Sequence, residues 1–554
     1  MTTKLTACIA GLLMTAAPCL CGADTKTFNS QIQHVLLLSI DGMHALDFAN
    51  CSKGISSING GAPYCPNLAA LAKIGVNYLQ ASTTKPSDSF PGMAAQFTGG
   101  HPRTSGFYYD VSYNRALSPP KATTPYLIPG GPGLCPGTLG TQVGYDESID
   151  YDLTRLDGGG GINSDYLPRD PKNGCAPVYP HSYLKVNTIF EVVKAAGGYT
   201  AWTDKHPAYE FSKGPSGQGV NDFFGPEINS IPQNLPNLKN LTCNPLPDQT
   251  AVTSSDDYTT SFQNIQCYDG MKVQAVINQI NGSTHDGRSS APVPNLFGMN
   301  FQAVSVGQKL VEHKTTVGGY LDAMGTPSPS LLSEIQFVDD SIGQMIRALN
   351  NQGIFNSTLI VVSAKHGQSP IDPARVLRIP GDDSTKNSPS GVLGGVYDPA
   401  ANPGSNVAQT IEDDGSLIWL RDQTQTAAAV ATLSTKDNEA LDATSEILWG
   451  PGLDLLFNDP QVDPRTPDIV VVTSVGVTFT GGTKKVAEHG GFNHEDTNVM
   501  MLVANNWFSP AIVTSPVETT QIAPTILSAL GLNPQSLQAV QAENTQVLPG
   551  LHFE

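Results

Sequence analysis

Positive charge is what this chain has least of. Its 554 residues carry 30 Lys and Arg against 49 Asp and Glu, a formal net charge of -19. A surface of that sign repels nucleic acid and anionic membranes at long range. It also repels a small anionic substrate, so a site for one must bring its own cation: a metal ion, a lysine or an arginine. Long apolar runs are missing too. No later stretch approaches 18 unbroken apolar residues, so no membrane span is indicated. The second half has no cysteine, and no two cysteines form a CxxC pair, which favours disulfides over zinc ligation. Internal repeats and low-complexity tails are absent as well.

What the chain does have is Gly 54 and Pro 42, the mark of long, shaped loops. Its length allows one large domain with insertions, or two to four average domains, and a core that does not need disulfides merely to fold. The N-terminus reads as a secretory leader. Lys4 precedes a short apolar run from Leu5 to Met14, and Cys21-Gly22-Ala23 is a small-residue cleavage site that would leave Asp24 first. Residues 1–23 are therefore expected to be a signal, and 24–554 a secreted protein, extracellular or periplasmic. Cys8, Cys19 and Cys21 leave with that leader. Cys51, Cys65, Cys135, Cys175, Cys243 and Cys267 remain, an even set whose connectivity the sequence does not fix; pairing of neighbours is the simplest choice. Asn240, Asn281 and Asn356 head glycosylation tripeptides.

Four short apolar runs, Val35 to Ile40, Leu359 to Val362, Ile469 to Val472 and Val499 to Val503, fit strands buried on both faces of a parallel sheet. Helical segments lie between them. Pro66 opens one with Leu68, Leu71 and Ile74 on one face and Gly75 as its stop. Leu331 to Leu349 keeps apolar residues at three-four spacing until Gly353, and Ile522 to Leu530 does so before Gly531. The expectation is an α/β fold in three α/β/α layers with a mostly parallel sheet. Two insertions interrupt it. A Gly- and Pro-rich excursion runs from about 119 to 180, and a second from about 372 to 467, with a strand at Leu417 to Leu420 and a helix at Ala427 to Leu433.

In an open parallel sheet, ligands gather at the carboxyl ends of the strands. Asp41 follows the run HVLLLSI, His366 follows LIVVSA, and His489 stands in AEHGG before a strand. Ser89, in KPSDSFPG, opens a helix whose free N–H groups favour developing anions. Each alone has a plainer reading as a turn residue, a structural histidine or a surface serine. Together at strand ends they suit nucleophilic displacement at phosphorus or sulfur, with a metal or another cation lowering the hydroxyl pKa.

The order LSIDG, SFPG with TGG, SAKHG, EHGG and the closing APTILSALGL resembles the type I phosphodiesterase/nucleotide pyrophosphatase family of the alkaline phosphatase superfamily over almost the whole mature chain. The resemblance implies that superfamily's fold, hydrolysis of phosphate esters, two zinc ions and a Ser or Thr nucleophile. It places Ser89 as the nucleophile, Asp41, His366 and His489 as metal ligands, and Asp110 near the residue that contacts phosphate oxygens. Three positions depart from the pattern: Lys365 stands where an Asp ligand belongs, and in NFQAVSVGQ Val304 and Gln308 stand where an Asp and a His belong. The implied cofactor is thus one divalent metal, a zinc, rather than two. Lys365 offers a second source of charge: its ammonium replaces one metal, contacts the ester or depresses the Ser89 pKa, unless it is a structural ion pair with Asp41 or Asp110. The expected function is hydrolysis of a small anionic ester, with no nucleic acid or membrane partner. The alternatives are a catalytically inactive anion-binding protein on the same fold, and a generic secreted α/β protein.

Overall fold

The computed structural model describes residues 31–553 except 126–129, 131–134, 136, 138, 233–237, 242, 244–255, 382–386, 436–443 and 481. The leader expected at 1–23 lies outside the described residues. Eight strands form the central sheet: β1 (His34–Ile40), β2 (Gly75–Tyr78), β3 (Ala201–Thr203), β4 (Asp222–Phe224), β5 (Leu296–Phe301), β6 (Thr358–Ser363), β7 (Met501–Ala504) and β8 (Ala511–Val513). Their order across the sheet is β8-β2-β7-β6-β1-β5-β3-β4. All adjacent pairs are parallel except those of β7, which runs antiparallel to both β6 and β2. The apolar run before Asp41 thus becomes the middle strand of the sheet, with Val35, Leu36, Leu37, Leu38 and Ile40 buried.

Helices cover both faces. Helix α1 (Pro66–Ala72), α3 (Phe262–Ile280) and α4 (Pro329–Asn351) pack together on one side. Helix α2 (Ser89–Thr98) and α5 (Ile522–Ala529) pack on the other. The periodic runs read in the sequence correspond to α1, α4 and α5, and the resulting three layers are the expected architecture.

One strand lies elsewhere than expected. Ile469–Thr473 belongs to a separate antiparallel sheet with Val407–Glu412, Gly415–Leu420 and Thr444–Trp449. Its side chains alternate between two small cores. Val470 and Val472 pack with Trp419 and Tyr108, while Ile469 and Val471 pack with Leu433 on the helix Thr426–Thr435. Covering both faces makes the run fully apolar, just as a central parallel strand would be. The second insertion's sheet therefore extends past residue 467. The cysteines pair as neighbours, Cys51 with Cys65, Cys135 with Cys175 and Cys243 with Cys267. Among the described residues no helix is long and apolar enough to cross a membrane. Asn240, Asn281 and Asn356 are exposed.

Candidate active site

Four neighbouring strands, β6, β1, β5 and β3, end side by side, and each delivers a polar residue just past its carboxyl end. β1 delivers Asp41, β6 delivers Lys365 and His366, β5 delivers Gln302, and β3 delivers Asp204 and Lys205. The turns are fixed locally. Gly42, at φ 80°, takes the chain away from Asp41, and a Cβ there would sit 2.2 Å from Gln308 Oε1. Asp269 accepts the backbone N–H groups of Gln302 and Ala303, both at 2.8 Å, and pairs with Lys272, which pins the turn after β5.

Ser89 begins α2, with Asp88 as its N-cap accepting the Phe90 N–H at 3.0 Å. The helix start lies directly on the end of β6. A Cβ on Gly92 would stand 2.1 Å from the Lys365 carbonyl oxygen, so glycine permits this close approach. Ser89 Oγ is thereby set 3.2 Å from His366 Nε2. The same Nε2 lies 2.9 Å from Asp41 Oδ1, and Lys365 Nζ lies 3.0 Å from Asp41 Oδ2, which also accepts from Gln302 at 2.6 Å. Lys365 therefore pairs with Asp41. Ser89, Asp41, Lys365 and His366, all singled out in the sequence, converge on one buried point.

His489 and Asp110 sit beside that point. The His489 ring lies 4.0 Å from that of His366, centroid to centroid, at 33°. Its nitrogens face Asp88 and Glu488, each at 3.7 Å, rather than Asp41. Asp110 donates its N–H to Asp88 Oδ2 at 3.2 Å and accepts from Val111 at 2.7 Å, which joins it to the helix cap. Burial, followed by their shared negative charge, lifts the Asp88 pKa well above the usual carboxylate range; burial lifts that of Asp110.

Three site residues were not assigned from sequence. Gln302 is one. Lys205 and Tyr209, within the polar and aromatic segment WTDKHPAY that follows a strand, are the others; in sequence that segment reads as a loop packed on the core, with lining of the pocket as the alternative. Lys205 is half-buried, and although burial alone would lower its pKa, Glu147, Asp41, Asp110 and Asp88 outweigh this and raise it. Tyr209 is fully buried, and its hydroxyl accepts from Lys365 Nζ at 3.3 Å. Burial alone would raise the Asp41 pKa, but Lys365 and His366 outweigh it and hold Asp41 well below the ordinary range. Burial, the largest effect on His366, lowers its pKa.

The implied two-zinc centre does not fit these residues. Val304 is apolar and buried in the core, and Gln308 is a neutral amide whose side chain bonds to Gly42, Tyr320 and Gln368. Lys365 sets an ammonium against the Asp41 carboxylate. Of Asp41, His366 and His489, expected to hold one zinc, the first two are in contact and the third stacks on His366, with its nitrogens toward Asp88 and Glu488. Among the described residues no group of three or more His, Cys, Asp or Glu is arranged to hold a metal ion.

The sheet, its helices and a buried serine at a helix start beside the strand ends fit an alkaline phosphatase-like fold. Solved structures agree. A substituted form of alkaline phosphatase PafA superposes with a TM-score of 0.56 at 12% identity, over 91% of this chain and 96% of that one. Murine ectonucleotide pyrophosphatase/phosphodiesterase 5 gives 0.52 at 13% identity over 91% and 96%, and its human counterpart 0.52 at 13% over 90% and 96%. An inactive form of the murine protein has been solved in complex with AMP. No curated protein sequence matches the chain. The sequence profile of type I phosphodiesterase/nucleotide pyrophosphatase matches residues 35–125 and 306–496, more than half of the chain. The chain belongs to that family, and by class it is a phosphoric ester hydrolase.

Proposed function

We propose that this protein is a secreted hydrolase of a small phosphoric ester, with Ser89 as its nucleophile. The observation that carries the reading is the contact chain Ser89 Oγ, His366 Nε2, Asp41 Oδ1 and, on the other carboxylate oxygen, Lys365 Nζ. His366 Nδ1 donates to the Gly367 carbonyl at 2.9 Å, and Nε2 faces both Ser89 Oγ and the Asp41 carboxylate, so a proton taken from Ser89 arrives on the nitrogen that Asp41 neutralises. Burial lowers the His366 pKa, which favours passing that proton on to the leaving oxygen. As the Ser89 Oγ–phosphorus bond forms and the ester P–O bond breaks, the proton passes to Nε2 and then to the leaving oxygen. Water then attacks phosphorus and gives a proton to Nε2. The Oγ–phosphorus bond breaks, and Oγ regains the proton. Asp41 stabilises the imidazolium between these steps, and Lys365 offsets charge on the transferring group. Asp110 binds substrate at the mouth of the site, and His489 stacks on His366 to keep the ring in place. The three disulfides support secretion, and a net charge of -19 argues against nucleic acid and anionic membranes as partners.

A second reading, an inactive anion-binding protein, draws on burial. Ser89 is 1% exposed and Lys365 and His366 are 0% exposed, so a ligand must pass Lys205, Asp110 and His489 to reach them. Hydrolysis of nitrophenyl phosphate, bis-nitrophenyl phosphate, a phosphonate ester and nitrophenyl sulfate, beside Ser89→Ala, separates the two. Turnover lost in Ser89→Ala supports the hydrolase and ranks its esters. Turnover of none of them favours the binding protein.

A further inference from the structure

Lysine is almost never fully buried without a partner, yet Lys365 is fully buried, and the half-buried Lys205 shares one aromatic ring with it. Lys365 Nζ stands 5.2 Å and Lys205 Nζ 5.8 Å from the centroid of Tyr209. That ring packs 5.0 Å from Phe90, the residue after Ser89, and 5.6 Å from Phe211. Tyr209 thus ties the position of both ammonium groups to the start of α2. Two like charges in one pocket repel. Such a pair is costly unless anions balance it. Asp41 balances Lys365, whereas Lys205 is shared among Glu147, Asp41, Asp110 and Asp88. Among the described residues Lys205 makes no direct ion pair, so its charge is open to an incoming anion.

We propose that Lys365 and Lys205, held over Tyr209, form a cradle for the transferring phosphoryl group and supply the positive charge that metal ions supply elsewhere in the family, so that anion binding here needs no metal. This rests on the phosphoric ester reading above and adds Lys205 as a binding residue and Tyr209 as a positioning residue. Its basis is the chemistry of the side chains present: a valine, an amide and an ammonium stand where three ligands are implied.

The test is calorimetric binding of inorganic phosphate to the full-length mature protein after chelator treatment, followed by zinc addition. Phosphate should bind the chelated protein, and zinc should leave its Kd unchanged. Lys205→Gln should weaken phosphate about ten- to a hundredfold, the range for losing a hydrogen bond to a charged group. Lys205→Arg should recover most of that loss, which a purely structural role for the site would not produce. Tyr209→Phe, which keeps the ring and removes only the hydroxyl's bond to Lys365, should hold phosphate binding within severalfold, whereas Tyr209→Leu should weaken it more. Phosphate that binds only after zinc is added overturns the proposal, as does equal affinity in folded Lys205→Gln and wild-type protein. If Lys205→Gln fails to fold, Lys205→Arg and the zinc arm decide alone. Because binding is read without turnover, tight metal-free phosphate binding without hydrolysis would leave the cradle standing and defeat only the catalytic reading.

Discussion

The two halves of the site have met the loss of implied metal ligands in different ways. In the half built on β1 and β6, a lysine replaces a carboxylate, and Lys365 stays charged against Asp41, within reach of Ser89 and His366. In the half built after β5, Val304 joins the hydrophobic core and Gln308 joins a buried network with Gly42, Tyr320, Asp47 and His44. One half has exchanged one source of positive charge for another. The other has removed charge altogether and satisfied its polar atoms internally, as buried groups require. The first holds Ser89, Lys365 and His366 together, and the His489 ring stacks on that of His366.

Substitutions can break or sharpen this contrast. The largest effect is expected for Ser89→Ala, which should lower kcat/KM for the best ester about a thousandfold or more, the range for losing a covalent nucleophile. Initial rates against a catalytically silent control check it, and a loss of only a few-fold would remove Ser89 from the mechanism. Lys365→Met should cost about a hundredfold in kcat/KM. It also leaves the buried Asp41 with only His366 and Gln302, so thermal stability should fall with it. Gln308→Leu should behave oppositely: it removes the donor to the Gly42 carbonyl and the acceptor of one Gln368 N–H, at a cost of about 1–3 kcal/mol in denaturant unfolding, with kcat/KM within severalfold of wild type. Similar rate losses in Lys365→Met and Gln308→Leu would erase the distinction between the halves.

The smallest effect lies beyond the C-terminal end of α2. His101 pairs with Glu543 at 2.6 Å and Glu518 at 3.3 Å. Burial alone would lower its pKa, but the two carboxylates raise it to about 10, and their own pKa values fall. The raised histidine contributes stability fully below its ordinary 6.5 and loses it as pH rises toward about 10. The lowered carboxylates contribute above their ordinary 4.5 and lose it in acid. The cluster is therefore strongest between those limits. The melting temperature should drop by a few degrees between neutral pH and pH 10 in wild type, and by less in His101→Gln. Because the pair is partly exposed, screening keeps the effect small.

Much of this architecture was legible in the chain. Asp41 and His366 follow strand-like apolar runs, and Ser89 opens a helix marked by Asp88, so residue type and local punctuation sufficed. The strand at Ile469–Thr473 misled because an apolar run buried between two small cores has the same pattern as one in a central sheet. Lys205 and Tyr209 were harder to see because nothing local marks a loop lysine or tyrosine as belonging to a pocket. Their one signal was a polar and aromatic segment directly after a strand, a position where sites gather.

The sequence by itself determined the layered α/β class, the family, and the polar residues at the ends of its strands, because hydrophobic periodicity and strand-end placement are local properties. It also determined that two implied ligands are a valine and an amide, since residue identity alone bars them from the usual metal chemistry. Only the tertiary structure decided what those changes became. The order β6-β1-β5-β3 sets Lys365, Asp41, Gln302 and Lys205 side by side from segments far apart in the chain. Whether a lysine is a surface charge or the cation of a buried site depends on which strands are neighbours, and that is fixed by packing between distant segments rather than by the residues around it.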